Sequence, residues 1–289
     1  MNKIYLDAVE REPILGHTSK GDQPKWQFKG KWYKADHMGY ESLSEVLVSQ
    51  LLKQSNAPEF VEYEPVLIQH KGKELPGCVS KNFRAKDEML VPFERLHRAY
   101  KGQGLAAALG KISSPQDRIR YTVEFIEKMT GLTGVGHYLT FLLELDSFFL
   151  NEDRHTNNLA VIRNERTGKF RLCPIFDHGL AFLSDLNNYP MDQNIYDSIR
   201  RVHAKPFDVD FDAQVEAAEE LYGTQLRFSF VRRDISIVLD SVRELYSNAV
   251  ITRVEQTASE QMRKYQVYFS ELSYRNHREK QVLTSNSKF

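Results

Sequence analysis

The alternation of hydrophobic and polar positions changes period along the chain. Over residues 25–36, KWQFKGKWYKAD, aromatic and polar residues alternate on either side of Gly30, which predicts a hairpin whose second strand carries Trp32 and Lys34. The next stretch, ESLSEVLVSQLLKQ, sets Leu43, Leu47 and Leu51 four apart, with Val46 and Val48 widening the apolar face, and predicts a helix. Ser42 and Glu45 have the spacing of a capping box at its start. Two more strands are expected at 61–69 and 77–83, separated by the polar turn HKGKELPG. Strands gathered around one helix make a small α+β lobe.

From about Lys86 the pattern turns helical. Ser114 and Pro115 supply an N-cap and a first-turn proline for a helix over RIRYTVEFIEKM that stops at Gly131. HYLTFLLELDSFFL is apolar on nearly every side, which marks the buried axis of a lobe and not a surface helix. The polar loop NEDRHTNN follows, then a strand LAVIR, a turn NERTGK and a strand FRLCPIFD ending at Asp177. Further helices are expected at 211–222, 231–247 and 252–272, before a polar, basic tail at 273–289 that should fray. The expected fold is α+β and two-lobed. A β-rich N-lobe with one main helix occupies 1–86, and a larger, mostly helical C-lobe occupies 87–272.

Charge and composition narrow the partners. The 289 residues hold 39 Lys+Arg against 39 Asp+Glu, a formal net charge of zero, with no basic stripe. That argues against direct nucleic-acid binding and against a polybasic membrane contact. With 41% hydrophobic and 27% charged residues the chain can bury a substantial core. No apolar run approaches the roughly 18 residues that span a bilayer; the longest candidate, 138–150, is broken by Glu144 and Asp146. MNKIYLDAVEREP lacks the apolar core of a signal peptide, so the cytoplasm is the expected location. Cys78 and Cys173 each lie in a strand-like apolar stretch and read as buried, reduced thiols.

Candidate chemistry centres on the polar loop and the strand end. Asp153 and Asn158 lie five apart after a buried helix, and Asp177 closes the following hairpin within I-F-D-H-G. In phosphoryl transfer, a loop Asp orients the nucleophile and takes its proton, an Asn five residues on holds Mg²⁺, and a later Asp bridges metal and phosphates. Carboxylate and carboxamide oxygens suit this hard cation. His155 is placed to contact a phosphate or the substrate, and Arg154 either serves the same site or partners a carboxylate elsewhere in the lobe. Lys34, on the strand before the helix, is the candidate for holding the α- and β-phosphates. Glu45 is its natural partner unless it completes the capping box, and Glu41 is the fallback. The loop GHTSKGDQPK at 16–25 begins like a Walker A motif, but Asp22 and Gln23 stand where Lys and Ser/Thr belong. Nor is it a G-x-G-x-x-G loop. Gly21, with the hydroxyls of Thr18 and Ser19, would cover phosphates through backbone N–H groups.

Taken together, T-S-K-G-D-Q-P-K, Lys34, N-E-D-R-H-T-N-N, I-F-D-H-G and A-K-P-F-D-V-D-F resemble the HipA-like serine/threonine kinases, in a short form lacking the extra N-terminal subdomain. The likeness runs from about Gly16 to the helices after Phe211, and its D-R-H order follows that family. It implies an ATP- and Mg²⁺-dependent kinase with Asp153 as catalytic aspartate, Asn158 and Asp177 as metal ligands, His155 near the nucleotide and Lys34 on the phosphates. It also implies a hinge at Phe83, with Lys81 as its neighbour against the adenine. Family members autophosphorylate a Ser in the phosphate loop; here Thr18 takes that position and Ser19 lies beside it. The implied partners are a protein substrate, either a translation factor such as an aminoacyl-tRNA synthetase or a host protein, and an antitoxin. The same residues leave open a small-molecule or lipid hydroxyl as acceptor, and a nucleotide-binding pseudokinase scaffold, against which the full set of lysine, base and metal ligands counts.

Overall fold

The computed structural model describes residues 2–11 and 23–269. Five strands form the N-terminal sheet in the order β1 (Lys3–Tyr5), β4 (Tyr63–His70), β5 (Lys73–Lys81), β3 (Lys31–Ala35) and β2 (Lys25–Phe28). β1 pairs in parallel with β4, and the other pairs are antiparallel. Because side chains alternate across a strand, Trp26, Tyr33, Ala35, Val66 and Ile68 gather with Leu6 on one face. The opposite face, with Tyr63 and Cys78, is covered by α1 (Glu41–Leu52). α1 is enclosed on nearly every side, with only Gln50 short of full burial, because α8 (Arg232–Asp240) packs against it as well.

The hairpin between β4 and β5 is tighter than the eight-residue turn expected from the sequence. Lys71 and Gly72 take φ of +49° and +74°, a two-residue turn of the kind that matches strand twist, and β5 begins at Lys73. Pro76 fits inside β5 because the pairing of β3 ends at Ala35 and Gly77, leaving its nitrogen beyond that ladder. The helical pattern also begins later than Lys86. β6 (Glu88–Pro92) comes first and pairs with β7 (Ala160–Asn164), which pairs with β8 (Phe170–Leu172) in a separate sheet.

The larger lobe contains α2 (Phe93–Lys101), α3 (Leu105–Leu109), α4 (Pro115–Thr130), α5 (Val135–Phe149), α6 (Ile195–Arg201), α7 (Phe211–Tyr222) and α9 (Asn248–Lys264). α4 starts where expected: the Ser114 hydroxyl accepts from the Asp117 N–H at 3.0 Å, and Gly131 ends the helix at φ +72°. α5 is the buried axis, with His137 its one exposed residue. A Cβ on its Gly136 would come within 2.4 Å of the Tyr222 ring, so glycine permits the close crossing of α7. Glu144 is tolerated there because its carboxylate accepts from the Gln225 and Leu226 N–H groups, at 2.9 and 2.6 Å. The helices expected at 231–247 and 252–272 are displaced. Ser247 is a helix start, its hydroxyl facing the Val250 N–H, so α8 stops at Asp240 and α9 runs from Asn248 to Lys264. Cys78 and Cys173 are buried free thiols. Among the described residues no helix is long and apolar enough to cross a membrane.

Candidate active site

Lys34 projects from β3 toward α1, on the same sheet face as Lys25 of β2 and Cys78 of β5. Its ammonium, almost wholly buried, pairs with Glu45 of α1 and with Asp177 Oδ1 at 2.9 Å. The choice left open by the sequence is thereby made: Glu45 meets the lysine, and its second oxygen accepts from the His178 N–H at 3.0 Å. Capping falls to other acids. Asp36 accepts from the Ser42 N–H at 2.6 Å, and Glu41 accepts from the N–H groups of His37, Met38 and Gly39. Burial opposes the charge on Lys34, but Asp177 and Glu45 outweigh it and hold the ammonium well above its ordinary range. Burial likewise opposes ionisation of Asp177, yet Lys34 and then Lys25 hold its carboxyl well below the usual carboxylate range. The strand expected to run to Asp177 stops at Leu172, because only Phe170, Arg171 and Leu172 pair with β7; Asp177 lies beyond it in irregular chain, at a left-handed φ of +66°.

α5 ends at Leu150, also left-handed at φ +57°, and the chain enters the polar loop. The Asn158 side-chain amide donates to the Asp153 carbonyl at 2.8 Å and faces its carboxylate at 3.3 Å. His155 Nε2 lies 3.8 Å from one Asp153 oxygen and Lys205 Nζ 3.8 Å from the other. Thr156 anchors the loop by donating to Glu94 at 2.8 Å. Arg154 turns inward, which decides its two readings for the carboxylate partner: it makes a bidentate contact with Asp146 of α5, at 2.7 and 3.0 Å. Its Nη1 donates to the carbonyls of Asn158 and Phe176, at 3.3 and 3.0 Å, so one nitrogen joins the Asn158 loop to the residue before Asp177. Its Nη2 meets His178 Nε2 at 3.0 Å. Arginine only donates, so His178 accepts and is neutral; burial first, and then the Arg154 charge, push its pKa well down.

The structure thus brings together Lys34, Glu45 and Asp177 in one group and Asp153, Asn158 and His155 in another, with Arg154 spanning them. Phe83 follows β5, and its ring lies 5.5 Å from that of Phe176, next to Asp177. Its carbonyl accepts from Arg171 at 3.3 Å. Lys81 is exposed, and the register puts it on the sheet face opposite Lys34, so it is not brought into this group. Thr18, Ser19 and Gly21 lie outside the described residues. Lys25 and Lys205 were not singled out from the sequence. The register of the first hairpin signals Lys25, whereas Lys205 has only its place in A-K-P-F to mark it.

Asn158 and Asp177 offer hard oxygen donors, and no group of three His, Cys, Asp or Glu able to cage a metal occurs among the described residues. Two protein ligands, with phosphate and water for the rest, is a donor set that fits Mg²⁺. The Asn158 amide nitrogen is taken up by the Asp153 carbonyl, which turns its oxygen the other way.

A sheet-plus-helix lobe set on a helical lobe, with these loops between them, is a two-lobed α+β kinase-like fold. Among solved structures it is similar to the Helicobacter pylori proinflammatory kinase CtkA, with a TM-score of 0.59, 17% sequence identity, and coverage of 91% of this chain and 94% of that one. A second similar structure is HipA of the Shewanella oneidensis MR-1 toxin–antitoxin system, in complex with HipB and its operator DNA, with a TM-score of 0.48, 11% identity, and coverage of 87% and 66%. No family model matches the chain, and no curated protein matches it in sequence. At such identities the likeness to CtkA establishes the fold.

Proposed function

We propose that this protein is an ATP- and Mg²⁺-dependent kinase that phosphorylates serine or threonine hydroxyls of a protein substrate. The observation that carries the reading is the double engagement of Lys34 by Glu45 and Asp177 beside the Asp153 loop. It is the arrangement of lysine, helix glutamate and metal-binding aspartate that phosphoryl transfer requires. Lys34 positions the α- and β-phosphates. Glu45 fixes the lysine, and through the His178 N–H it fixes the segment that follows Asp177. Asp153 orients the acceptor hydroxyl and takes its proton, with His155 at its flank. Asn158 and Asp177 would hold Mg²⁺, which neutralises charge on the phosphates when bound. Phe83, in the connection between β5 and β6, would meet the adenine, and the loop bearing Thr18, Ser19 and Gly21 would close over the phosphates, with Thr18 or Ser19 as the autophosphorylated hydroxyl.

Transfer of labelled phosphate from ATP, measured with and without Mg²⁺, tests this reading. Asp153→Asn and Asp177→Asn are expected to lower transfer by about 10³-fold or more, with the unfolding transition retained. Full transfer by either variant would sink the assignment.

A further inference from the structure

Lys205 supports an inference that rests on the kinase reading and extends it to the acceptor side of the site. Burial alternates along 202–205. Val202 and Ala204 are buried in a cluster with Leu150, Leu183 and Phe211, whereas His203 is exposed. Alternation sends successive side chains of an extended segment to opposite sides, so Lys205 faces away from that cluster. Leu150 belongs to the same cluster and leads directly into the Asp153 loop, which docks the segment against the catalytic side chains. The result is an ammonium 3.8 Å from Asp153 Oδ1, on a side chain 34% exposed.

The two buried cations here are more fully engaged. Lys34 faces two carboxylates and Arg154 is bidentate to Asp146. For Lys205, Asp153 is the one carboxylate within ion-pair range among the described residues. An acceptor hydroxyl served by Asp153 lies about 3 Å from its carboxylate, and the phosphorus it attacks about 3–3.5 Å further on. A lysine beside the same carboxylate, on a flexible four-carbon stem, spans that interval.

We propose that Lys205 is a catalytic residue whose ammonium donates a hydrogen bond to a non-bridging oxygen of the phosphoryl group in transfer. In that step the acceptor oxygen forms its bond to phosphorus, and its proton passes to an Asp153 oxygen. The bond from phosphorus to the bridging oxygen of ATP breaks, and its electron pair leaves with ADP. Lys205 keeps its protons throughout. Its charge offsets the negative charge spread over the phosphoryl oxygens in the transition state.

The test uses the full chain with Mg²⁺ and ATP, in the presence and absence of dephosphorylated casein, with ADP release and label transfer followed together. Lys205→Ala lowers kcat on the order of 10²-fold with KM for ATP and the melting temperature unchanged, and Lys205→Arg recovers much of the loss. Lys205→Cys is equally slow until 2-bromoethylamine rebuilds an ammonium there, a selective reaction because Cys78 and Cys173 are buried. A lysine with a merely structural role would not show a loss confined to kcat and restored by a new ammonium. An active wild type whose Lys205→Ala variant keeps its kcat, or loses it only together with melting temperature, overturns the role of Lys205 and leaves the kinase reading standing. A wild type that releases neither ADP nor labelled product overturns both.

Discussion

Arg154 and Lys34 are both buried cations of one site, and they are satisfied in different ways. Arg154 has five N–H donors, and all five meet acceptors within the helical lobe: both oxygens of Asp146, the carbonyls of Asn158 and Phe176, and His178 Nε2. Nothing is left over for a ligand. Lys34 instead spans the lobes, between Glu45 of α1 and Asp177 in the segment after β8, and the Asp177 side chain remains 24% exposed. A phosphate or a metal ion reaching Asp177 can exchange with that contact. Arg154 thus builds the site, whereas the contact of Lys34 with Asp177 is open to a ligand, although the two cations look alike by burial alone.

The difference predicts opposite signatures for two substitutions, and the larger effect falls on Arg154. Arg154→Met leaves the fully buried Asp146 carboxylate without its counter-ion, with the Asn151 amide as its remaining side-chain donor, and is expected to cost about 3–5 kcal/mol of stability, read as a lower denaturant midpoint with an unchanged slope. Lys34→Met leaves Glu45 its bond from the His178 N–H and lets Asp177 rehydrate, so its stability cost should be about 1–3 kcal/mol. Its main effect is on phosphate transfer, which should fall by about 10²–10³-fold. If Lys34→Met proved the more destabilising of the two, the division between building and working cations would be lost.

A smaller effect concerns the start of α1, which carries Glu45. Burial, followed by the nearby Glu41 charge, pushes the Asp36 carboxyl up to about 7, against contacts from the Ser42 N–H and the Tyr246 hydroxyl that favour ionisation. The folded value exceeds the ordinary aspartate value, so between the two the folded state holds a proton that the unfolded chain has released. This contribution is fully present below the unfolded pKa and is lost as pH rises through the folded one. Asp36→Asn should therefore gain stability relative to wild type as pH rises from about 4 to 7. Urea unfolding of both proteins across that range measures it, and a pH-independent difference would show that Asp36 titrates normally.

Legibility in the sequence followed the range of the interactions. α4 and α7 were visible because their caps and periodicity are local, down to Ser114, Pro115 and Gly131. β1 is three residues held by parallel pairing to β4, and β6 is an edge strand running straight into α2, so neither has a local pattern of its own. Lys34 and Glu45 could be matched because a strand followed by a helix places them in order, while the competition between ion pair and cap was decided by Asp36 and Glu41. The partner of Arg154 was hidden in plain view: Asp146 appeared only as an interruption of an apolar run. Lys205 comes to Asp153 through packing of Val202 and Ala204 on Leu150, a contact between distant segments that no spacing rule encodes.

The smallest expected effect tests the sheet register on which the placement of Lys34 depends. Cys78 of β5 pairs with Lys34 of β3, and Lys81, three residues on, falls on the opposite face beside Lys31. It is exposed there, so replacing it removes a solvated charge without uncovering a partner. Lys81→Ala should leave KM for ATP within about twofold of wild type, the range expected of a surface substitution away from caps, cores and charge networks. A one-residue slip between β3 and β5 would turn Lys81 to the α1 side, where nucleotide contact would make the same substitution costly. A rise in KM of tenfold or more, with stability unchanged, would mean that β5 meets the nucleotide with the other face.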